Sequence, residues 1–158
     1  MTTTLGNFVI GQTLLAADMN AIATWTSFTP SFSGVTAGTG ASNTGQYCEL
    51  NKILFIRTKY VLGTGGSFTA PTLTLPASKV ATGSPTQSYA SGFQAVIIDL
   101  FANAFPLSVN LASTTTINFL VQTASGTYLT QNTAVSATIP FTSGTSDVLE
   151  IMGWIQVN

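Results

Sequence analysis

Five carboxylates, Asp18, Glu49, Asp99, Asp147 and Glu150, are the side chains best suited to acid–base work on this chain, which contains no His. Without imidazole, neither a Ser–His nucleophile nor a His-based metal centre can be assembled from one copy. Glycoside hydrolysis needs two carboxylates facing one another across a sugar cleft. Asp147 and Glu150 lie three apart near an expected strand start, which places them on opposite faces. Asp99 interrupts the apolar run Val96-Ile97-Ile98-Asp99-Leu100. A charge there must pair, with Arg57 or Lys59 as candidates, or sit at the strand end. The acidic residues show no calcium-loop spacing. Gly63-Thr64-Gly65-Gly66 is not followed by Lys-Ser/Thr, so it reads as a hairpin turn, not a phosphate loop. Neither catalysis nor a cofactor is expected.

Binding groups are better represented. Tyr89, Tyr128 and the amide pair Gln131-Asn132 fall in segments expected to be loops, where rings and amides can contact a ligand. Trp25 and Trp154 are expected as core or interface anchors, because buried indoles dominate packing energetics. Cys48 is the single cysteine, so no intrachain disulfide forms. It is expected as a small buried hydrophobe in a chain that matures in a reducing compartment.

The elements that would position these groups are strands. Only four basic and five acidic residues occur among 158, far below the usual quarter. Ser and Thr together fill about a quarter of the chain. The net charge of −1 and the absence of a basic cluster give no nucleic-acid footprint. Phe105, Leu107, Val109 and Leu111 alternate with Pro106, Ser108 and Asn110; Thr115, Ile117, Phe119 and Val121 alternate with Thr116, Asn118 and Gln122, although Leu120 spoils the polar face; and Val135, Ala137, Ile139 and Phe141 alternate with Ser136, Thr138 and Pro140. Each run reads as a half-buried strand. Lys52–Leu62 and Val148–Val157 carry apolar residues on both faces, so burial on both faces is expected, either in a closed sandwich with covering loops or at a subunit interface. The window Phe93–Leu111 is the most apolar, but Asp99, Asn103, Pro106 and Asn110 exclude a membrane span. It reads as two strands and a turn. Turn signals every 8–15 residues or so point to an antiparallel sandwich or jelly roll.

Leu14–Trp25 breaks the pattern. Leu15, Met19, Ile22 and Ala23 fall at helical spacing, which predicts a short amphipathic helix. So few turns need a docking partner, on the same subunit or on another chain. Residues 1–25 are therefore a candidate attachment segment. Its docking side chains are Phe8, Leu14, Leu15, Met19, Ile22 and Trp25. Residues 26–158 form the sandwich domain. Met1–Leu5 lacks the basic and apolar regions of a signal peptide.

Three stretches together resemble the small tail- and fibre-type virion proteins of bacteriophages. The first is Gly11-Gln12-Thr13-Leu14-Leu15-Ala16-Ala17-Asp18-Met19-Asn20-Ala21-Ile22, followed by Trp25 and Phe28-Thr29-Pro30. Leu15 stands there where the family often has a Thr cap. The second is Gly45-Gln46-Tyr47-Cys48-Glu49-Leu50-Asn51-Lys52-Ile53-Leu54-Phe55-Ile56, closed later by Leu73-Thr74-Leu75-Pro76. Asn51 replaces the usual Gly at the turn, and Asn tolerates the left-handed conformation. The third runs from Thr138-Ile139-Pro140-Phe141 through Gly144, Asp147 and Leu149 to Gly153-Trp154-Ile155.

The resemblance implies an all-β fold, an antiparallel jelly-roll-like β-sandwich with a short N-terminal helix, commonly a homotrimer on the virion. It implies a non-enzymatic structural role as a tail or fibre appendage, with other virion proteins and a host-surface glycan as partners. Head decoration, a head fibre, or a non-viral trimeric carbohydrate-binding sandwich are the alternatives left open.

Overall fold

The computed structural model of the chain describes residues 24–76, 79–82, 92–100, 102–125 and 128–158; along 123–125 and 128–132 it describes the backbone alone. Among the described residues ten strands form: β1 Thr26–Phe28, β2 Ser31–Thr36, β3 Ser42–Leu50, β4 Ile53–Val61, β5 Ser67–Thr74, β6 Gln94–Ile98, β7 Ala104–Leu111, β8 Thr116–Ser125, β9 Tyr128–Ala134 and β10 Val148–Gln156. The fold is all-β, and no α-helix occurs among the described residues. The helix expected over Leu14–Trp25 lies almost wholly outside them.

The strands join one antiparallel sheet in the order β1-β3-β4-β10-β6-β7-β8-β5-β2. β8 holds β5 through Thr116–Asn118 and β9 through Leu120–Ser125, on the edge away from β7. The sheet curls back over a shared core. Tyr60 of β4 meets Phe32 of β2 edge-on at 5.4 Å and Phe68 of β5 at 6.3 Å, although these strands stand far apart in the path. Such edge-to-face contacts add to what ring burial supplies. Leu54, Ile56, Leu73, Ile97, Ile117, Phe119, Leu149 and Ile155 fill the interior. The result is sandwich-like; inward positions follow the two-residue period in β4 and β6, while in β5 the period slips between Phe68 and Leu73.

Two loops are fastened to each other by backbone. The Thr39 N–H donates to Thr64 O at 3.0 Å, and the Thr64 N–H donates to Thr39 O at 2.9 Å. This closes one end of the sandwich between β2–β3 and β4–β5. A bulge at Ser33/Val35 places Gly34 at φ 69°. Opposite it, the Ala70 N–H leaves the ladder and donates to Val135 O at 2.6 Å. Asn51 turns β3 into β4 at φ 58°, the left-handed conformation expected of it.

Several sequence expectations are corrected. Residues 135–141 do not form a strand. Ser136 and Ile139 bond each other's backbone at 3.0 and 3.3 Å around a tight turn, followed by a cis peptide at Ile139-Pro140. Pro140 cannot donate to a ladder, so alternation alone does not sustain pairing there. Phe141 still reaches the core rim, stacking on Phe105 at 5.5 Å. Within the single chain, covering loops do not bury the second face of β4: Leu54, Ile56, Thr58 and Tyr60 point inward, while Ile53, Arg57 and Lys59 are exposed. By contrast β6 and β7 form the expected strand pair, with Asp99 just past the end of β6.

Candidate functional site

The outward face of β1, β3, β4, β10, β6 and β7 forms an open trough of about 1080 Å³. Six strands at sheet spacing make it about 24 Å across. Register explains its chemistry. In an antiparallel sheet, directly paired residues project from the same face. One row therefore runs Ser27, Gln46, Arg57, Met152 and Gln94. The next outward row runs Thr44, Lys59, Glu150, Val96 and Pro106. Hydroxyls, amides and three charges thus share a surface with a thioether and two small apolar side chains.

The first row is wired together. The Arg57 Nε–H donates to Gln46 Oε1 at 2.8 Å, and Nη2 donates to the same oxygen. Gln46 Nε2 in turn donates to Ser27 Oγ at 3.5 Å. The Trp25 ring lies 4.8 Å from the guanidinium carbon, close enough for cation–π attraction. Arg57 is held from two sides and engages a neutral amide. In the second row Lys59 Nζ meets Glu150 Oε1 at 3.0 Å. That pair is exposed and adds little stability, but it cancels two of the three charges. The trough is left with one positive charge, on Arg57.

One strand step further, the same face turns apolar. Leu50 and Ile53 are paired across the hairpin, and Trp154 lies beside Phe55. Leu50 and Ile53 are each 37% exposed and Trp154 42%. Cys48 pairs with Phe55 in the same row and is buried. Burial pushes its thiol pKa above the ordinary value.

Glu49, Asp147 and Glu150 take structural partners. Glu49 pairs with Lys79. Asp147 is buried, accepting from Gly144 N at 2.5 Å and Leu100 N at 3.4 Å. Arg57 and Lys59 engage Gln46 and Glu150, and Asp99 takes the other place the sequence allowed it, at the strand end. No group of three or more metal-ligating residues occurs among the described residues.

Of the residues singled out from sequence, Trp25 stands at the rim of the trough on Arg57. Phe8, Leu14, Leu15, Met19, Ile22 and Tyr89 lie outside the described residues, as does Asp18. Tyr128, Gln131 and Asn132 belong to β9, not to loops, and pair with Ser125, Thr123 and Gln122 of β8. Gln46, Gln94 and Met152 were not anticipated as site residues. The sequence did show apolar residues on both faces of the strands that became β4 and β10. It could not show that β4 and β10 are neighbours.

No family model, no curated protein and no solved structure matches this chain.

Proposed function

We propose that this chain is a non-enzymatic structural protein of a bacteriophage virion, a tail or fibre appendage that contacts the host surface. In this reading it is a jelly-roll-like sandwich assembled as a homotrimer and anchored to other virion proteins through residues 1–25. The observation that carries it is the apolar end of the outer face. Leu50 and Ile53 stand exposed opposite each other, and Trp154 stands exposed one row away beside Phe55, on a chain with almost no charge. Large apolar side chains grouped on a sheet surface mark contact with another molecule.

The placement of the second and third resembling stretches lends support. Gly45–Ile56 is the β3–β4 hairpin, with Asn51 at its left-handed turn. Leu73 and Leu75 are buried at the close of β5. Asp147 ties a turn before β10, and Gly153-Trp154-Ile155 lies within β10.

Immunogold labelling of intact particles tests the assignment. Label at the tail or on fibres is expected. Label spread over the head makes the protein a head decoration or head fibre, and no label on any particle removes it from the virion. A chain lacking residues 1–25 is expected to fold but not to join the particle. Loss of folding instead would show that the segment packs on its own subunit.

A further inference from the structure

We infer that the outer-face trough binds an acidic saccharide chain, with Arg57 taking the carboxylate of a sugar ring. This deepens the host-contact reading above and rests on it for the source of the ligand.

Three observations converge. The first is the uncompensated charge. Lys59 is neutralised by Glu150 at 3.0 Å, whereas Arg57, among the described residues, bonds the neutral Gln46 amide and no carboxylate. A guanidinium carries five N–H donors in a planar fork. The two spent on Gln46 leave others to meet a carboxylate, the geometry for which Arg is best suited. The second is preorganisation. The Ser27–Gln46–Arg57 chain and the Trp25 ring fix the guanidinium before any ligand arrives. Less side-chain freedom is then lost on binding.

The third is the lining around that charge. Thr44, Gln94 and Ser27 offer hydroxyl and amide groups that both donate and accept. Such groups match the many hydroxyls of a sugar. Trp25 and Met152, 41% and 61% exposed, offer apolar surface to its C–H faces. An open trough about 24 Å across fits an extended polymer better than an enclosed small molecule, which needs most of its surface buried. A nucleic acid would instead call for several unpaired cations, and the trough has one. A protein edge would favour the apolar Leu50–Ile53 end over this polar stretch.

The test is binding of the full chain to three acidic polymers, polygalacturonate, alginate and polysialic acid, by titration calorimetry. Each uronate is compared with the same polymer after its carboxyls are reduced to alcohols. At least one acidic polymer should bind. Affinity should fall by at least about tenfold on carboxyl reduction, and by a similar factor in Arg57→Gln. Arg57→Lys should recover part of the loss, because it keeps the charge but not the fork. Added salt should weaken the acidic polymer alone. Arg57 is exposed, so unchanged melting of both variants is expected and checks that the fold is intact. Equal binding of acidic and reduced polymers, an unaffected Arg57→Gln, or no binding to any of the three overturns the inference. Particle labelling without saccharide binding would sink this inference and leave the virion assignment standing. Saccharide binding without particle labelling would do the reverse.

Discussion

Asp147 and Gly144 hold each other by two hydrogen bonds. The Gly144 N–H donates to the Asp147 carboxylate at 2.5 Å, and the Asp147 N–H donates to Gly144 O at 3.3 Å. The same carboxylate receives the Leu100 N–H, and Asp147 O receives the Leu62 N–H at 2.9 Å. One buried side chain therefore ties the start of β10 to the turn after β6. Hydrogen bonds to a buried charge are worth about 1.5–3 kcal/mol each. Asp147→Ala should lower unfolding free energy by about 2–4 kcal/mol, and Asp147→Asn by about half that, since one acceptor survives. Urea unfolding followed by tryptophan fluorescence measures both. A loss below about 0.5 kcal/mol for the alanine variant would show that solvent serves these backbone groups equally well.

Gly63 sits where loop backbone meets loop backbone. A methyl there would fall 2.3 Å from Thr39 O, and neither main chain can yield without breaking the Thr39–Thr64 pair. Gly65 in the same turn has open space at its Cβ position but a φ of 78°. Gly65→Ala should therefore cost only the left-handed penalty of about 1–2 kcal/mol. Gly63→Ala should cost clearly more, or prevent folding. Comparable denaturation midpoints for the two would contradict the close approach.

Cys48 supplies a pH signature. Its folded-state pKa is raised by burial, so the protonated thiol is the form the fold favours. That preference is fully present below the thiol's unfolded value of about 8.5. It disappears as pH climbs through the higher folded value. Stability should thus decline on the alkaline side, and Cys48→Ala should flatten that decline. A thiol reagent at neutral pH should label the native chain slowly and the urea-unfolded chain fast. Rapid native labelling would mean the thiol is reached without unfolding.

The exposed Leu50, Ile53 and Trp154 predict a separation between folding and association. Ile53→Lys combined with Trp154→Lys should leave the melting of the isolated subunit within about 1 kcal/mol, as surface changes usually do. It should also reduce the molar mass measured by light scattering to that of one chain. A parent protein that is already monomeric at high concentration would remove the basis for assembly through this end. Phe119→Ala, deep in the interior, is the contrasting change and should cost about 3–5 kcal/mol.

How much of this was legible in advance varied with the kind of signal. β7 and β8 were readable because one face meets the core, so Leu107, Ile117 and Phe119 keep strict alternation. The Asn51 turn was readable because few residue types accept a positive φ. β1 and β2 carried no comparable signal: Thr26–Phe28 is short, and a bulge at Gly34 breaks the period of β2. The run through Ile139 misled, since a few alternating residues fit a turn as well as a strand. The trough was hidden for a different reason. Gln46 and Arg57 face each other across one hairpin, but Gln94 and Met152 come from strands far along the chain, and only the strand order places all four in one row. Which long-range pairings form is decided by packing of the whole sheet, not by any local stretch.

β10 lies in the middle of the sheet, between β4 and β6, yet it follows every other strand along the chain. During synthesis β4 and β6 must wait with bare edges until the final segment slots between them. A nascent chain halted before Val148 would present two open strand borders to its neighbours, the condition that invites mispairing. The keystone is laid last, so the arch can stand only after translation has passed it.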